Sequence, residues 1–230
     1  MKKALRISSI IFVAGVIVAA IIASMSAKPA NADIVWDKDM TLGNLDAKNY
    51  YITYSDLMCP YCIAFESATI EHKEEFEKYL EDNDILYEVR VSDFLYEYGE
   101  ARAINSRYSA EAVYCAKNEG KFWDYYDLAV TTLWNDYFKD SGKGAFAKVN
   151  EFDKSYWIDL GKQIGLGDKF EKCVKNDEPL DEIKVNAAKS AKLINGMPYF
   201  KFNSFTSSGF DPSGSWDYAK MYLDAGLGKS

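Results

Sequence analysis

Residues 54–62 read Tyr-Ser-Asp-Leu-Met-Cys-Pro-Tyr-Cys, and the fold and chemistry that the sequence predicts both depend on this stretch. A tyrosine-rich apolar run before it predicts a strand over 49–55, and a helical pattern begins at Pro60. Cys59 then lies at the start of a helix, where unpaired backbone N–H groups and the positive end of the helix dipole stabilise a thiolate. Cys62 lies one turn later, within reach for a disulfide. We therefore predict a redox dithiol, with Cys59 as nucleophile and Cys62 as resolving thiol.

Two other interpretations of a Cys-x-x-Cys pair are a zinc site and a purely structural disulfide. A structural zinc site needs four Cys or His ligands. Outside the pair the chain has only Cys115, Cys173 and His72, and none of these forms a second close pair. The strand-to-helix context favours redox chemistry over both alternatives.

The first 32 residues have the composition of a targeting segment. Three basic residues among the first six precede the apolar stretch 10–23, and Ala30-Asn31-Ala32 offers a small-residue cleavage pattern. Extending the apolar run to Ala27 gives 18 residues, close to the roughly 17 that can span a bilayer. A membrane anchor within residues 7–27 is therefore the alternative to a cleaved signal peptide. In both cases the remaining chain is expected to be exported, in a periplasmic or other extracytoplasmic location.

The remaining 198 residues carry 23 basic and 35 acidic side chains, because the first 32 hold four basic and no acidic ones. This acidic balance argues against binding nucleic acid through its phosphates. The length suits one domain with an insertion, or two small lobes. In an oxidising compartment, Cys115 and Cys173 could form a second, structural disulfide. Two separate buried thiols are the alternative.

The chain-order pattern predicts a βαβ unit, a helical segment, a hairpin and a final helix. Residues 33–48 are predicted to be an irregular lead-in, followed by a strand over 49–55, a helix over about 60–81 with one buried stripe, and a strand over 85–92. The two strands should be parallel, which places the dithiol at the carboxyl end of the first. His72 falls on the buried stripe and is interpreted as a packed or boundary residue rather than a general base.

Beyond Gly99 nearly everything to Ile194 is predicted to be helical. The expected helices cover about 100–118, 121–138, 154–163, 168–175 and 179–193. Strands over 199–203 and 205–208 then form a hairpin, and a helix over 215–225 ends the chain. The predicted division is therefore 1–32 for the signal or anchor, 33–96 for the first part of an α/β domain, 97–194 for a helical insertion and 195–230 for the second part.

Four stretches in this order resemble the DsbA-like thiol:disulfide oxidoreductases, which have a thioredoxin fold interrupted by a helical domain. The matching stretches are Ser55-Asp56-Leu57-Met58-Cys59-Pro60-Tyr61-Cys62, Ala112-Val113-Tyr114-Cys115-Ala116 to Gly120-Lys121-Phe122-Trp123, Phe170-Glu171-Lys172-Cys173 and Asn195-Gly196-Met197-Pro198-Tyr199-Phe200. The resemblance implies a cis proline at Pro198 that faces the dithiol and turns the Met197 backbone towards Cys59. Substrate contacts are expected from Pro60, Tyr61 and Met197.

Two departures from the family bear on the redox properties. DsbA has a histidine between its cysteines, whereas this chain has Pro60-Tyr61, the pair found in glutaredoxins. Losing that histidine removes one source of thiolate stabilisation and predicts a weaker oxidant. Glutaredoxins lie at about −200 to −230 mV and DsbA at about −120 mV, and we predict a potential in or between these ranges. Met197 stands where many relatives have Thr or Val, which affects substrate choice and potential.

The resemblance implies an exported oxidase that introduces disulfides into secreted or envelope proteins. It implies no cofactor beyond the Cys59–Cys62 disulfide, a monomer, and reoxidation by a quinone-linked membrane partner of the DsbB or vitamin K epoxide reductase type. A reductase or isomerase of the same compartment is the first alternative. A thiol protein that binds Cu(I) or zinc through Cys59 and Cys62 is the second, although the chain has no Met-rich or His-rich tract to support such a site.

Overall fold

The computed structural model describes residues 34–98, 103–139, 149, 151–192, 196–211 and 213–229. The predicted signal or anchor over 1–32 lies outside the described residues. Within the described residues, none of the helices combines the length and the apolar character needed to cross a membrane.

A five-stranded mixed sheet forms the centre of the α/β part. Its strands are β1 (Thr41–Leu42), β2 (Asn49–Ser55), β3 (Ile85–Val91), β4 (Tyr199–Phe202) and β5 (Phe205–Ser208), in the spatial order β1-β3-β2-β4-β5. The central strand β2 is parallel to β3 and antiparallel to β4. The predicted strands and hairpin are confirmed, with ends that differ by one residue in β3 and β4.

Residues 33–48 are predicted to be irregular, and this prediction is wrong for residues 38–42. A 3-10 turn at Lys38–Met40 runs into β1, which pairs antiparallel with β3. Met40 is buried in the core. A strand of two residues is too short to show the alternation by which strands are recognised in a sequence. It is a strand because it pairs with β3 at the edge of the sheet.

Two helices occupy the range predicted for one helix over 60–81. These are α1 (Pro60–Glu71) and α2 (Lys73–Asp82), and the backbone leaves helical geometry at His72. The single buried stripe is also wrong for α1, because every residue from Cys62 to Thr69 is buried. The sheet covers one side of α1 and helices of the insertion cover the other. Only α2 is one-sided, and it buries Phe76, Tyr79 and Leu80.

The remaining helices are short and mostly follow the predicted pattern. They are α3 (Phe94–Tyr98), α4 (Ile104–Lys117), α5 (Phe122–Leu133), α6 (Lys154–Gln163), α7 (Asp168–Lys175), α8 (Leu180–Ala191) and α9 (Trp216–Gly226). The helix predicted over 121–138 changes at Trp134 into a π-helical turn that ends at Phe138. The sequence did not predict α3, because five residues are too few for a helical period to be visible.

Aromatic side chains fill the core between the sheet and α1. The ring of Tyr51 on β2 lies 5.5–6.3 Å from the rings of Phe65, Tyr87, Phe200 and Phe202. Pairs at these distances stabilise a core beyond the area that they bury. These ring contacts hold β2 against α1. Cys59 and Cys62 lie at the junction between these two elements.

Candidate active site

Cys59 caps the amino terminus of α1. Its backbone is extended, with φ −88° and ψ 113°, and Pro60 takes the first helical position, where a missing N–H costs nothing. The Cys59 N–H donates to the carbonyl of Asp56 at 2.9 Å, which closes the turn between β2 and the helix. The junction therefore places Cys59 at the start of α1.

The loop before β4 faces Cys59 from the neighbouring strand. Tyr54 near the end of β2 pairs with Tyr199 at the start of β4, so the Met197-Pro198 bond lies beside the dithiol, and it is cis. The Cys59 Sγ donates to the Met197 carbonyl at 3.7 Å.

The three predicted substrate-contact residues differ in exposure. The Met197 side chain is only 8% exposed, so its backbone is the part that the dithiol meets. Pro60 is half-buried and Tyr61 is 47% exposed. Of these three residues, Tyr61 is the most exposed.

Cys62 is fully buried one turn into α1, and both sulfurs of the pair are free thiols in this structure. Burial is the largest cause of a strongly raised pKa of the Cys62 thiol, and the neighbouring Cys59 sulfur raises the pKa further. A thiol in such a site keeps its proton. Cys59 is also buried, but it keeps 5% exposure whereas Cys62 has none.

Asp56 braces the loop that carries Cys59. Its buried carboxylate accepts hydrogen bonds from the Met58 N–H at 2.9 Å, the Leu95 N–H at 2.9 Å and the Ser106 hydroxyl at 2.6 Å. Burial raises the pKa of Asp56 to about 6, and these hydrogen bonds act in the opposite direction. The sequence showed Asp56 inside the motif but did not reveal this role, since two of the donors, Leu95 and Ser106, lie 39 and 50 positions further along the chain.

Glu66 is a second buried carboxyl group, one turn after Cys62. Its Oε2 accepts a hydrogen bond from the Tyr87 hydroxyl at 3.1 Å, and no basic side chain of the described residues forms an ion pair with it. Burial raises the pKa of Glu66 to about 8, while the hydroxyls of Tyr87, Tyr126 and Ser55 lower it. A charged residue in an otherwise apolar helical turn is the signal that could have identified it.

Cys115 and Cys173 form a disulfide that joins α4 to α7. The S–S distance is 1.97 Å and the Cα atoms are 5.9 Å apart. Both residues are buried and lie in helices of the insertion. The structure thus pairs the two cysteines for which the sequence left both a bridge and separate thiols open.

His72 lies at the break between α1 and α2 and is a boundary residue. Its side chain is 42% exposed, and its ring stacks on Trp216 at 5.6 Å. In the part of the chain that the structure describes, no three or more Cys, His, Asp or Glu side chains are grouped so that they could hold a metal ion.

Comparison with solved structures gives the same architecture. A thioredoxin-like oxidoreductase from Silicibacter pomeroyi is 19% identical, with a TM-score of 0.57 over 84% of this chain and 95% of that one. BdbD from Bacillus subtilis is 15% identical, with a TM-score of 0.58 over 82% and 92%. The alpha-DsbA1 protein of Wolbachia pipientis is 15% identical, with a TM-score of 0.57 over 87% and 96%.

Comparison of sequences adds one relative and one family model. A protein of Mycolicibacterium vanbaalenii named Na(+)/H(+) antiporter NhaA 1 is 24% identical over 196 residues, which are 83% of this chain but only 27% of that protein. The chain thus spans about a quarter of the length of this relative. The family model described as thioredoxin matches residues 36–206, which include the dithiol, the insertion and the cis proline. The chain therefore belongs to the thioredoxin family, and its fold is that of the DsbA-like thiol-disulfide oxidoreductases.

Proposed function

We propose that this chain is an exported thiol:disulfide oxidoreductase that introduces disulfide bonds into secreted or envelope proteins. The observation that carries the proposal is the position of Cys59, at the amino terminus of α1 and 3.7 Å from the Met197 carbonyl. This position suits thiol exchange, because the Cys59 sulfur lies beside the backbone of the loop before β4, with which an extended substrate could pair. The DsbA-like fold supports the same reaction class.

In the proposed reaction a substrate thiolate attacks the Cys59 sulfur of the oxidised enzyme. The Cys59–Cys62 bond breaks, Cys62 leaves with the electron pair, and a mixed disulfide forms between substrate and Cys59. A second substrate thiolate then attacks the substrate sulfur of the mixed disulfide, so that the substrate gains a disulfide and Cys59 leaves reduced. Cys59 is the attacked sulfur because it keeps 5% exposure, whereas Cys62 has none.

Substrate recognition in this proposal uses few specific contacts. Pro60, the half-exposed Tyr61 ring and the Met197 backbone surround Cys59 and offer apolar area and main-chain hydrogen bonds, which suit reduced or unfolded proteins of varied sequence. No cofactor is needed beyond the redox disulfide. The reduced dithiol is reoxidised by a quinone-linked membrane partner of the DsbB or vitamin K epoxide reductase type, and the enzyme acts as a monomer.

A reductase or isomerase of the same compartment is the second candidate. It is favoured by Tyr61, which replaces the histidine that strengthens DsbA as an oxidant. Compared with DsbA, the reduced form is then less favoured, so the disulfide is a weaker oxidant. A weaker oxidant suits a reductase or isomerase.

An equilibrium titration of residues 33–230 against glutathione, with each cysteine pair followed by alkylation and mass spectrometry, tests the proposal. A potential of about −120 to −200 mV for Cys59 and Cys62 supports an oxidase, and one near or below about −230 mV supports the reductase or isomerase. The same protein should oxidise a reduced peptide dithiol, Cys59→Ser should not, and Cys62→Ser should accumulate the mixed disulfide. Full oxidase activity in Cys59→Ser would contradict the mechanism.

A further inference from the structure

The Cys115–Cys173 bridge is recessed inside the insertion. Cys115 on α4 is 1% exposed and Cys173 on α7 is 5% exposed. Cys59, the sulfur that reacts with substrates in the proposed function, is also only 5% exposed. A mixed disulfide brings two sulfurs to about 2 Å, so two recessed sulfurs of two folded proteins cannot form one. One of the partners has to present its cysteine on an extended segment.

Helix packing closes the surroundings of Cys173. Phe170 and Val174, its neighbours on α7, are fully buried. Gly161 on α6 lies so close to α7 that a Cβ atom at this position would be 2.3 Å from the Phe170 ring. An interior packed this densely admits a second polypeptide only when the helices separate. A protein oxidant therefore reaches Cys173 before α7 has packed, while this part of the chain is still unfolded.

The spacing of the cysteines does not select this bridge. Cys115 and Cys173 are 58 positions apart, and Cys62 and Cys115 are 53 positions apart. The entropy cost of closing a loop grows only with the logarithm of its length, so the native bridge and this wrong one cost nearly the same. Cys59 and Cys62 enclose only two residues. Pairing these two early leaves Cys115 and Cys173 as the remaining thiols of an unfolded chain.

We infer that the unfolded, reduced form of this chain is a substrate of the folded form, which makes the Cys115–Cys173 bridge in a second copy. The inference rests on the proposed dithiol exchange and names one partner for it. Two thiols on an unfolded chain are what that exchange requires, and packing of α7 ends the reaction by burying both. The two forms share a compartment because they are copies of one sequence.

A copy without the bridge can be the first catalyst. The dithiol lies between β2 and α1, and the loop before β4 contacts Cys59. None of these elements includes Cys115 or Cys173. Each new bridge keeps a larger fraction of the copies folded. Bridge formation should therefore begin slowly and accelerate as bridged copies accumulate.

The exchange balances between the two copies. A thiolate of the unfolded chain, from Cys115 or Cys173, attacks the Cys59 sulfur of the oxidised folded copy. The Cys59–Cys62 bond breaks, Cys62 leaves with the electron pair, and a mixed disulfide forms. The second insertion thiolate then attacks the unfolded chain's sulfur in that mixed disulfide, and Cys59 leaves with the electron pair. One bridge is formed, one dithiol is reduced, and the two thiol protons end on Cys59 and Cys62.

Refolding of a chain without the dithiol tests the inference. The full chain with Cys59→Ser and Cys62→Ser is unfolded in urea, reduced, and diluted into native buffer with either oxidised wild type or oxidised glutathione at the same concentration. Alkylation and mass spectrometry follow the bridge. Wild type should form it roughly tenfold faster than glutathione, in proportion to the wild-type concentration, with one wild-type dithiol reduced per bridge.

Two catalyst variants identify the disulfide that supplies the oxidising equivalents. The variant with Cys115→Ala and Cys173→Ala retains only the Cys59–Cys62 disulfide, and its folded fraction should act at the wild-type rate. Cys59→Ser retains the insertion bridge, and it should be no faster than buffer alone. The reverse order of the two variants would overturn the inference.

A delay between dilution and the addition of wild type tests the role of burial. Tryptophan fluorescence reports how far the insertion has packed, because Trp157 is fully buried on α6. The rate of bridge formation should fall roughly tenfold as packing proceeds, since access limits exchange. An unchanged rate in a chain that has packed contradicts the inference. If the reduced variant does not pack, the comparison with glutathione decides.

A reduced peptide dithiol separates this inference from the proposed function. Wild type that oxidises the peptide but forms the bridge no faster than glutathione overturns the inference and leaves the proposed function in place. Wild type that oxidises neither the peptide nor the unfolded chain shows that the proposed function itself is wrong.

Discussion

The two cysteine pairs of this chain differ in bonding, although all four residues are buried. Cys59 and Cys62 are separated by two residues and are free thiols, whereas Cys115 and Cys173 form a disulfide 58 residues apart in sequence. Each pair also has a buried glutamate four positions away, Glu66 after Cys62 and Glu111 before Cys115. The pairs thus share burial and a nearby acid but differ in what contacts the sulfurs.

The difference lies in the backbone around each sulfur. Cys59 is at the amino terminus of a helix, and its Sγ contacts the Met197 carbonyl in the loop before another strand. Cys115 and Cys173 lie within α4 and α7, where the N–H groups are used by the helices. Burial by itself therefore does not distinguish a redox cysteine from a structural one.

Removing the insertion disulfide gives the largest expected effect. Cys115→Ala with Cys173→Ala opens a loop of 58 residues, which lowers the free energy of unfolding by about 4 kcal/mol in the chain-entropy model. Dithiol exchange by the folded fraction should stay at the wild-type rate, because neither residue contacts the dithiol. Urea unfolding and peptide oxidation measure the two quantities. A folded double variant without oxidase activity would show that the pairs are coupled.

The two buried glutamates give the next effect, on the pH dependence of stability. Burial raises the pKa of Glu66 to about 8 and that of Glu111 to about 7, the latter although Lys154 lies 2.9 Å away and lowers it. The folded state then holds protons that the unfolded state releases near pH 4.5, so each group makes stability fall as pH rises from about 4.5 to its folded pKa. One pKa unit is worth about 1.4 kcal/mol, so the loss for each glutamate over its pH range is several kcal/mol as an upper limit.

Urea unfolding at pH 5, 7 and 9 separates the two glutamates. Relative to the wild type, Glu66→Gln should gain stability up to about pH 8, and Glu111→Gln only up to about pH 7. Other buried carboxyl groups, Asp56 among them, titrate equally in all three proteins and cancel in the difference. A constant difference between Glu66→Gln and the wild type from pH 5 to 9 would show that Glu66 does not titrate in this range.

The sequence predicts the dithiol region better than the contacts that brace it. Strand β2 and the start of α1 follow from local patterns, namely an apolar run and a proline after Cys59, whereas the place of Pro198 beside the dithiol follows from the resemblance to the DsbA-like proteins. The break at His72, the five-residue helix α3 and the role of Asp56 depend on partners far along the chain. A hydrogen bond from Ser106 to Asp56 spans 50 positions, and no local pattern encodes it.

That hydrogen bond joins the two regions and gives the smallest predicted effect. Ser106→Ala removes the 2.6 Å bond to the Asp56 carboxylate and leaves it with the Met58 and Leu95 donors. The bond favours the charged carboxylate, so its loss raises the pKa of Asp56 further above about 6. Stability should fall by about 1–2 kcal/mol above pH 6, where the carboxylate is charged, and by less at pH 4.

The control is another buried serine of α4. Among the residues that the structure describes, Ser109 donates to the Ser106 carbonyl alone, at 3.0 Å within the same helix, so Ser109→Ala should cost less at every pH and show no step near pH 6. Exchange by Ser106→Ala should be only slightly slower, since the Met58 N–H still holds the loop before Cys59. Equal, pH-independent losses in the two variants would mean that the insertion does not tune Asp56. A pH-dependent loss in Ser106→Ala alone would show that α4 sets the charge state of the group beneath the dithiol loop.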